Sequence, residues 1–115
     1  MTDARRIRLD PDPLEPYFLS QGFRVGDLVV VSGQAALDEH GVVVGAGDFD
    51  AQAEQVFRNL ERVLAAAGSG LDRVVKVTIF LTDTSYFGSR IWPSSISISS
   101  SGNASACTCT IVSAG

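Results

Sequence analysis

The chain has 115 residues, 45% of them hydrophobic and 19% charged, with nine Lys/Arg against thirteen Asp/Glu and a formal charge of −4. That length and balance suit one compact domain with a modest core, and the acidic excess opposes binding driven by the phosphate backbone of nucleic acids. No apolar run reaches the roughly 18 residues that span a bilayer, and the first residues lack the basic-then-apolar order of a secretory signal, so a cytoplasmic protein without a membrane partner is expected.

Arg5-Arg6-Ile7-Arg8-Leu9 alternates basic and apolar residues before Asp10-Pro11-Asp12-Pro13. It reads as a short edge strand closed by a turn-rich connection. Phe23-Arg24-Val25-Gly26-Asp27 reads as a strand entering a Gly-Asp turn, and Leu28-Val29-Val30-Val31-Ser32-Gly33-Gln34 as a strand buried on both faces, the two together forming a hairpin. Asp38-Glu39-His40-Gly41 signals a second turn, and Val42-Val43-Val44 a third strand.

From Asp48 onward, Ala53, Val56, Phe57, Leu60, Val63, Leu64 and Ala67 recur at three- and four-residue steps. This spacing predicts one apolar stripe on a helix, capped by Asp48 or Asp50 and stopped by Gly68. Val74 to Thr82 alternates, with Val75, Val77, Ile79 and Leu81 expected to face the helix and the mixed side free for a cleft or a partner subunit. Thr82-Asp83-Thr84 could cap a further helix through Ser85-Tyr86-Phe87.

The composition then changes. All acidic residues lie at or before Asp83, and residues 88–115 are Ser-rich with one charge, Arg90. Ile96, Ile98 and the run from Thr108 to Val112 offer one or two weak strands, and Pro93 and the serines interrupt any helix.

Most of the candidate motifs have plain readings. Gly45-Ala46-Gly47 stands between a strand and a helix, yet it lacks a following Lys, and Asp48 and Asp50 sit where a phosphate would, so it reads as a turn. His40, the lone histidine, lies in a turn without a nucleophile nearby in sequence. Cys107-Thr108-Cys109 with His40 falls short of the four ligands of structural zinc, so no metal site is expected. Arg5, Arg6 and Arg8 form the one basic cluster, read as a solvated edge or as partners of acids across an interface rather than an RNA contact. Ser32-Gly33-Gln34 is the more informative segment, because small residues at a strand end permit close approach of a ligand or another backbone.

Ser20-Gln21-Gly22, Val25 through Gln34, Gly45-Ala46-Gly47-Asp48-Phe49-Asp50-Ala51-Gln52, Gln55 through Leu60, Ala65 through Ser69 and Asp72 through Asp83, in this order, resemble the RidA (YjgF) family. The resemblance covers about residues 5–87 of a single domain, 1–115, and stops at the Ser-rich tail. It implies an α+β fold of the chorismate-mutase type, a mixed sheet packed against two helices, with subunits forming a homotrimer and ligand clefts between them. It implies hydrolysis of enamines and imines such as 2-aminoacrylate to 2-keto acids and ammonia, with no cofactor. A non-enzymatic trimeric scaffold for a small carboxylate or a partner protein is the alternative, and a ribonuclease or translation inhibitor, as other members have been described, is a further one.

Carried over residue by residue, the resemblance marks Ser32 and Gly33 as substrate-binding, Phe87 as a cleft wall and Tyr17 as the nearby aromatic. It assigns no catalytic residue, because the family's later arginine and glutamate have no counterpart: no Arg follows Arg90 and no acid follows Asp83. The tail is also expected to lack the second helix and closing strands of the family, and a change of reading frame near Gly88 would account for both departures.

Overall fold

A computed structural model describes residues 3–80 and 108–114. Five strands, β1 (Ala4–Arg6), β2 (Gly22–Val25), β3 (Leu28–Gln34), β4 (Val74–Phe80) and β5 (Thr108–Ala114), form one sheet in the order β1-β2-β3-β5-β4. A single helix among the described residues, α1 (Phe49–Ala66), covers one face, which makes the architecture α+β as expected. Every pairing in this described part is antiparallel, where the resemblance implied a mixed sheet.

The helix follows its sequence closely. Ala53, Val56, Phe57, Leu60, Val63 and Leu64 are buried, and Asp48, not Asp50, accepts the Ala51 N–H at the N-terminus (3.2 Å). At the other end Ser69 N–H bonds Leu64 O (2.8 Å) and Gly68 N–H bonds Ala65 O (3.0 Å), with Gly68 at φ 77°. This paired closure requires a left-handed residue, which glycine supplies without strain. The Arg24 guanidinium donates to the Ala67 carbonyl, placing a cation where the helix dipole is negative.

The β2–β3 hairpin turns at Gly26-Asp27, as read. Gly22 opposes Val31, and a Cβ at Gly22 would sit 2.3 Å from Val30 O, so only glycine allows the strands to approach here. Four expectations need correction. First, β3 is covered on one face alone: Val29 and Val31 are fully buried under the helix, while Leu28 and Val30 are exposed on the other side. Second, Val42-Val43-Val44 is not a strand, and only Val43 bridges, to Leu37. Asp38 N–H bonds Val42 O (2.9 Å) and Val44 N–H bonds Ala36 O (2.8 Å) around that one bridge, while the Asp38 carboxylate accepts the N–H groups of His40 (2.8 Å) and Val42 (2.9 Å) and closes the turn before it.

Third, Val75 faces away from the helix and is 66% exposed. The register shifts between Val74 and Lys76, so a bulge lets Val74 and Val77 both pack on the core with Ile79. Fourth, the tail does supply a closing strand: β5 is hydrogen-bonded on both sides, to β3 and β4, in the interior of the sheet. At the amino end, the edge strand is Ala4–Arg6, shorter and earlier than Arg5–Leu9, and Ile7 continues inward as a core residue with its N–H on Gly22 O (2.9 Å). Leu81, the helix expected through Phe87, and the Ile96–Ile98 stretch lie outside the described residues.

Candidate functional site

The geometry centres on the far end of β3. Val31 pairs with Ile111 and Gln34 with Cys109, so three steps along β3 match two along β5 and Ser32-Gly33 form a bulge. The bulge reverses the facing of the next residue. By strict alternation from Val29 and Val31, Gln34 would point away from the helix; instead it is buried. Gly33 is exposed and Ser32 half-buried, and Ser32 N–H donates to Gln21 O (2.9 Å).

Gln21 and Gln34 are the buried polar side chains among the described residues, and they bond to each other. Gln34 Nε2 donates to Gln21 Oε1 (2.9 Å) and more weakly to Ser32 O (3.3 Å), while Gln21 Nε2 donates to Asp12 Oδ1 (2.8 Å). Asp12 Oδ1 also accepts Leu14 N–H (3.0 Å). An ionised carboxylate only accepts, so Asp12 fixes which end of each amide faces which partner. Burying such amides unpaired would cost about 1–3 kcal/mol each, and no buried side-chain polar atom among the described residues lacks a partner.

Asp12 opens the segment that carries Tyr17. A 3-10 turn over Glu15–Tyr17 ends with Tyr17 N–H on Leu14 O (3.1 Å), and Phe18 follows at φ 58°, a left-handed conformation that is costly for a non-glycine residue. Tyr17 is 67% exposed and Phe18 97%. On the helix side, Asn59 Nδ2 donates to Ala35 O (3.0 Å) and Leu37 O (2.8 Å), and Gln55 Nε2 to Leu37 O (3.2 Å), pinning the chain as it leaves β3. Between these parts lies a small cavity of about 50 Å³ lined by Leu14, Gln21, Gly33, Gln34, Asn59 and Arg62, among others.

Of the residues marked in the sequence, Ser32 and Gly33 thus occupy the bulge, Tyr17 lies on the turn tethered to it through Asp12, and Phe87 lies outside the described residues. Sequence reading gave no role to Asp12, Gln21 or Gln34. Gly45-Ala46-Gly47 and His40 keep their plain readings. Asp48 fills the anion position after Gly45-Ala46-Gly47, with its own N–H on Gly45 O (2.8 Å). His40 is exposed beside Glu39 (3.5 Å). No group of three or more metal-ligating side chains occurs among the described residues, and Cys107 lies outside them.

The arginine cluster is split by strand parity: Arg5 opposes Arg24 on the helix side, whereas Arg6 opposes Phe23 on the bare side. Among the described residues no helix is long and apolar enough to cross a membrane. Among the described residues Asp38 is the one group held clearly off its ordinary value, its carboxyl lowered chiefly by the Val42 N–H bond, with the His40 N–H and His40 itself adding.

Among the described residues, an antiparallel sheet with one covering α-helix and a bulged, amide-braced strand end defines the class as α+β. The sequence profile of the Endoribonuclease L-PSP family matches residues 8–99, and the chain belongs to that family, the RidA (YjgF) family. A RutC family protein of Pyrococcus abyssi is 38% identical over 77 residues, 67% of this chain and 59% of the relative. The chain thus spans about three-fifths of the length of the curated relatives it matches. Among solved structures, RidA from the Antarctic bacterium Psychrobacter aligns with TM-score 0.77 and 28% identity over 96% of this chain and 99% of that one. Yeast Mmf1 aligns with TM-score 0.82 and 25% identity over 97% and 98%.

Proposed function

We propose that the chain is a RidA-type enamine and imine hydrolase that converts 2-aminoacrylate-type intermediates to 2-keto acids and ammonia in clefts between subunits of a homotrimer. The observation that carries this reading is the bulge at Ser32-Gly33, braced by buried amides and joined through Asp12 to the Tyr17 turn, in a chain of this family. The enamine tautomerises to an imine, water adds across C=N, and the carbinolamine collapses to the keto acid as ammonia leaves with the proton. Ser32 and Gly33 would offer hydroxyl and main-chain donors to the substrate carboxylate, Tyr17 a phenol, and Phe87 a wall. The exposed apolar side chains Phe23, Leu28 and Val30 on the bare sheet face support assembly into a trimer.

Mixing the protein with a 2-aminoacrylate-generating enzyme and following keto acid release tests the reading. Release above the buffer control supports it, and none removes it. A second reading, a trimeric scaffold that binds a small carboxylate without turnover, is favoured by the lack of any acid after Asp83 or arginine after Arg90. Thermal stabilisation by pyruvate without turnover would select it.

A further inference from the structure

We propose that Asp12, Gln21 and Gln34 are positioning residues: a one-directional chain of hydrogen bonds that locks the Tyr17 turn and the Ser32-Gly33 bulge in place before any ligand arrives. The inference deepens the functional reading above and rests on it for the identity of the cleft. The three side chains come from separate segments, the loop before the 3-10 turn, the approach to β2 and the end of β3. Their donors all point the same way, Gln34 to Gln21 (2.9 Å) and Gln21 to Asp12 (2.8 Å). Each end of this chain grips a part of the candidate cleft. At the carboxylate end, Asp12 also takes the N–H of Leu14 (3.0 Å), whose own carbonyl receives the Tyr17 N–H (3.1 Å).

At the other end the Ser32 backbone is held on both sides, its N–H by Gln21 O (2.9 Å) and its carbonyl by Gln34 Nε2 (3.3 Å). The first of these bonds is main chain to main chain and carries the β2 pairing one residue further, whereas on the β5 side the bulge interrupts the ladder and the Gln34 amide holds the Ser32 carbonyl instead. Because Asp12 only accepts, turning either amide over would set two donors or two acceptors face to face. The orientation of the Gln34 amide, and with it the hold on the Ser32 carbonyl, is therefore set from Asp12 through Gln21.

Amide hydrogen exchange on the ligand-free full chain tests this without needing turnover. In Asp12→Ala, Ser32 N–H should lose about ten-fold in protection together with Leu14 N–H, while core amides of Val56 and Leu60 stay unchanged. Asp12→Asn keeps an accepting oxygen and should restore protection. Gln21→Glu sets two carboxylates in contact, which share a proton only in acid, so Ser32 protection should return near about pH 5 and be lost near about pH 8. Loss at Leu14 alone, or an even loss throughout the core, would overturn the proposal. Where turnover is measurable, Asp12→Ala should raise KM with kcat little changed, and a fall in kcat alone would also overturn it. Absence of turnover with the exchange pattern intact would sink the hydrolase reading and leave the positioning chain standing.

Discussion

The two faces of the sheet are made by the same strands and differ in what lies over them. On one, Val29, Val31 and Ile79 are fully buried beneath Val56, Leu60, Val63 and Leu64 of α1. On the other, Phe23 and Val25 of β2 stand opposite Val30 and Leu28 of β3, all four exposed. Side chains of similar character thus have opposite surroundings one residue apart. The covered face is satisfied within the subunit; the bare face carries the apolar surface expected of a site that meets another chain.

Substitutions separate the two faces by size of effect. Leu60→Ala opens the covered face at its centre and should lower unfolding stability by about 2–5 kcal/mol, read by urea denaturation. Asp48→Ala leaves both faces intact but frees the first turn of the covering helix, and should cost about 1 kcal/mol in the same assay. Val30→Lys on the bare face should change subunit stability by no more than about 0.5 kcal/mol yet shift a trimer toward monomer in sedimentation. A large loss of subunit stability, or an unchanged mass, would show that the bare face is not an interface.

The smallest effect lies away from both faces. The Asp38 carboxyl titrates below its ordinary value when folded, so its contribution is present above the unfolded value and lost as pH falls through the folded one. Asp38→Ala should therefore narrow its stability gap to the wild type only in strong acid, as followed by thermal unfolding across pH.

The helix was legible because its stripe repeats at the helical period for its whole length, and no tertiary contact needed to be known. β3 was legible as a strand but not in its burial, since an unbroken β-branched run looks the same whether one or both faces are covered. The triple valine at 42–44 has the composition of a strand yet forms a single bridge, and the Asp38 bonds that close the turn before it are not displayed by composition. At the candidate site, small residues at 32 and 33 drew notice, whereas the buried glutamines did not. Gln34 carries outward parity in the sequence and turns inward only because of the bulge, and its partnership with Gln21 spans two strands. Val75 was misplaced for the same reason on β4. Bulges are settled by pairing with β5, and that pairing is invisible until the sheet order is known.

The seat of β5 also orders events in time. Among the described residues β4 has its strand partner in β5 alone, and β3 meets β4 only across it. As the chain leaves the ribosome, the β1-β2-β3 meander and α1 have what they need to form early, while two inner sheet edges stay open until residues 108–114 arrive. Contacts so distant in sequence close slowly, and an unpaired edge in the interval invites pairing with other chains. Release of the chain before Thr108 would leave a half-sheet with its sticky side outward, which makes the Ser-rich tail the segment on which safe completion of the fold depends.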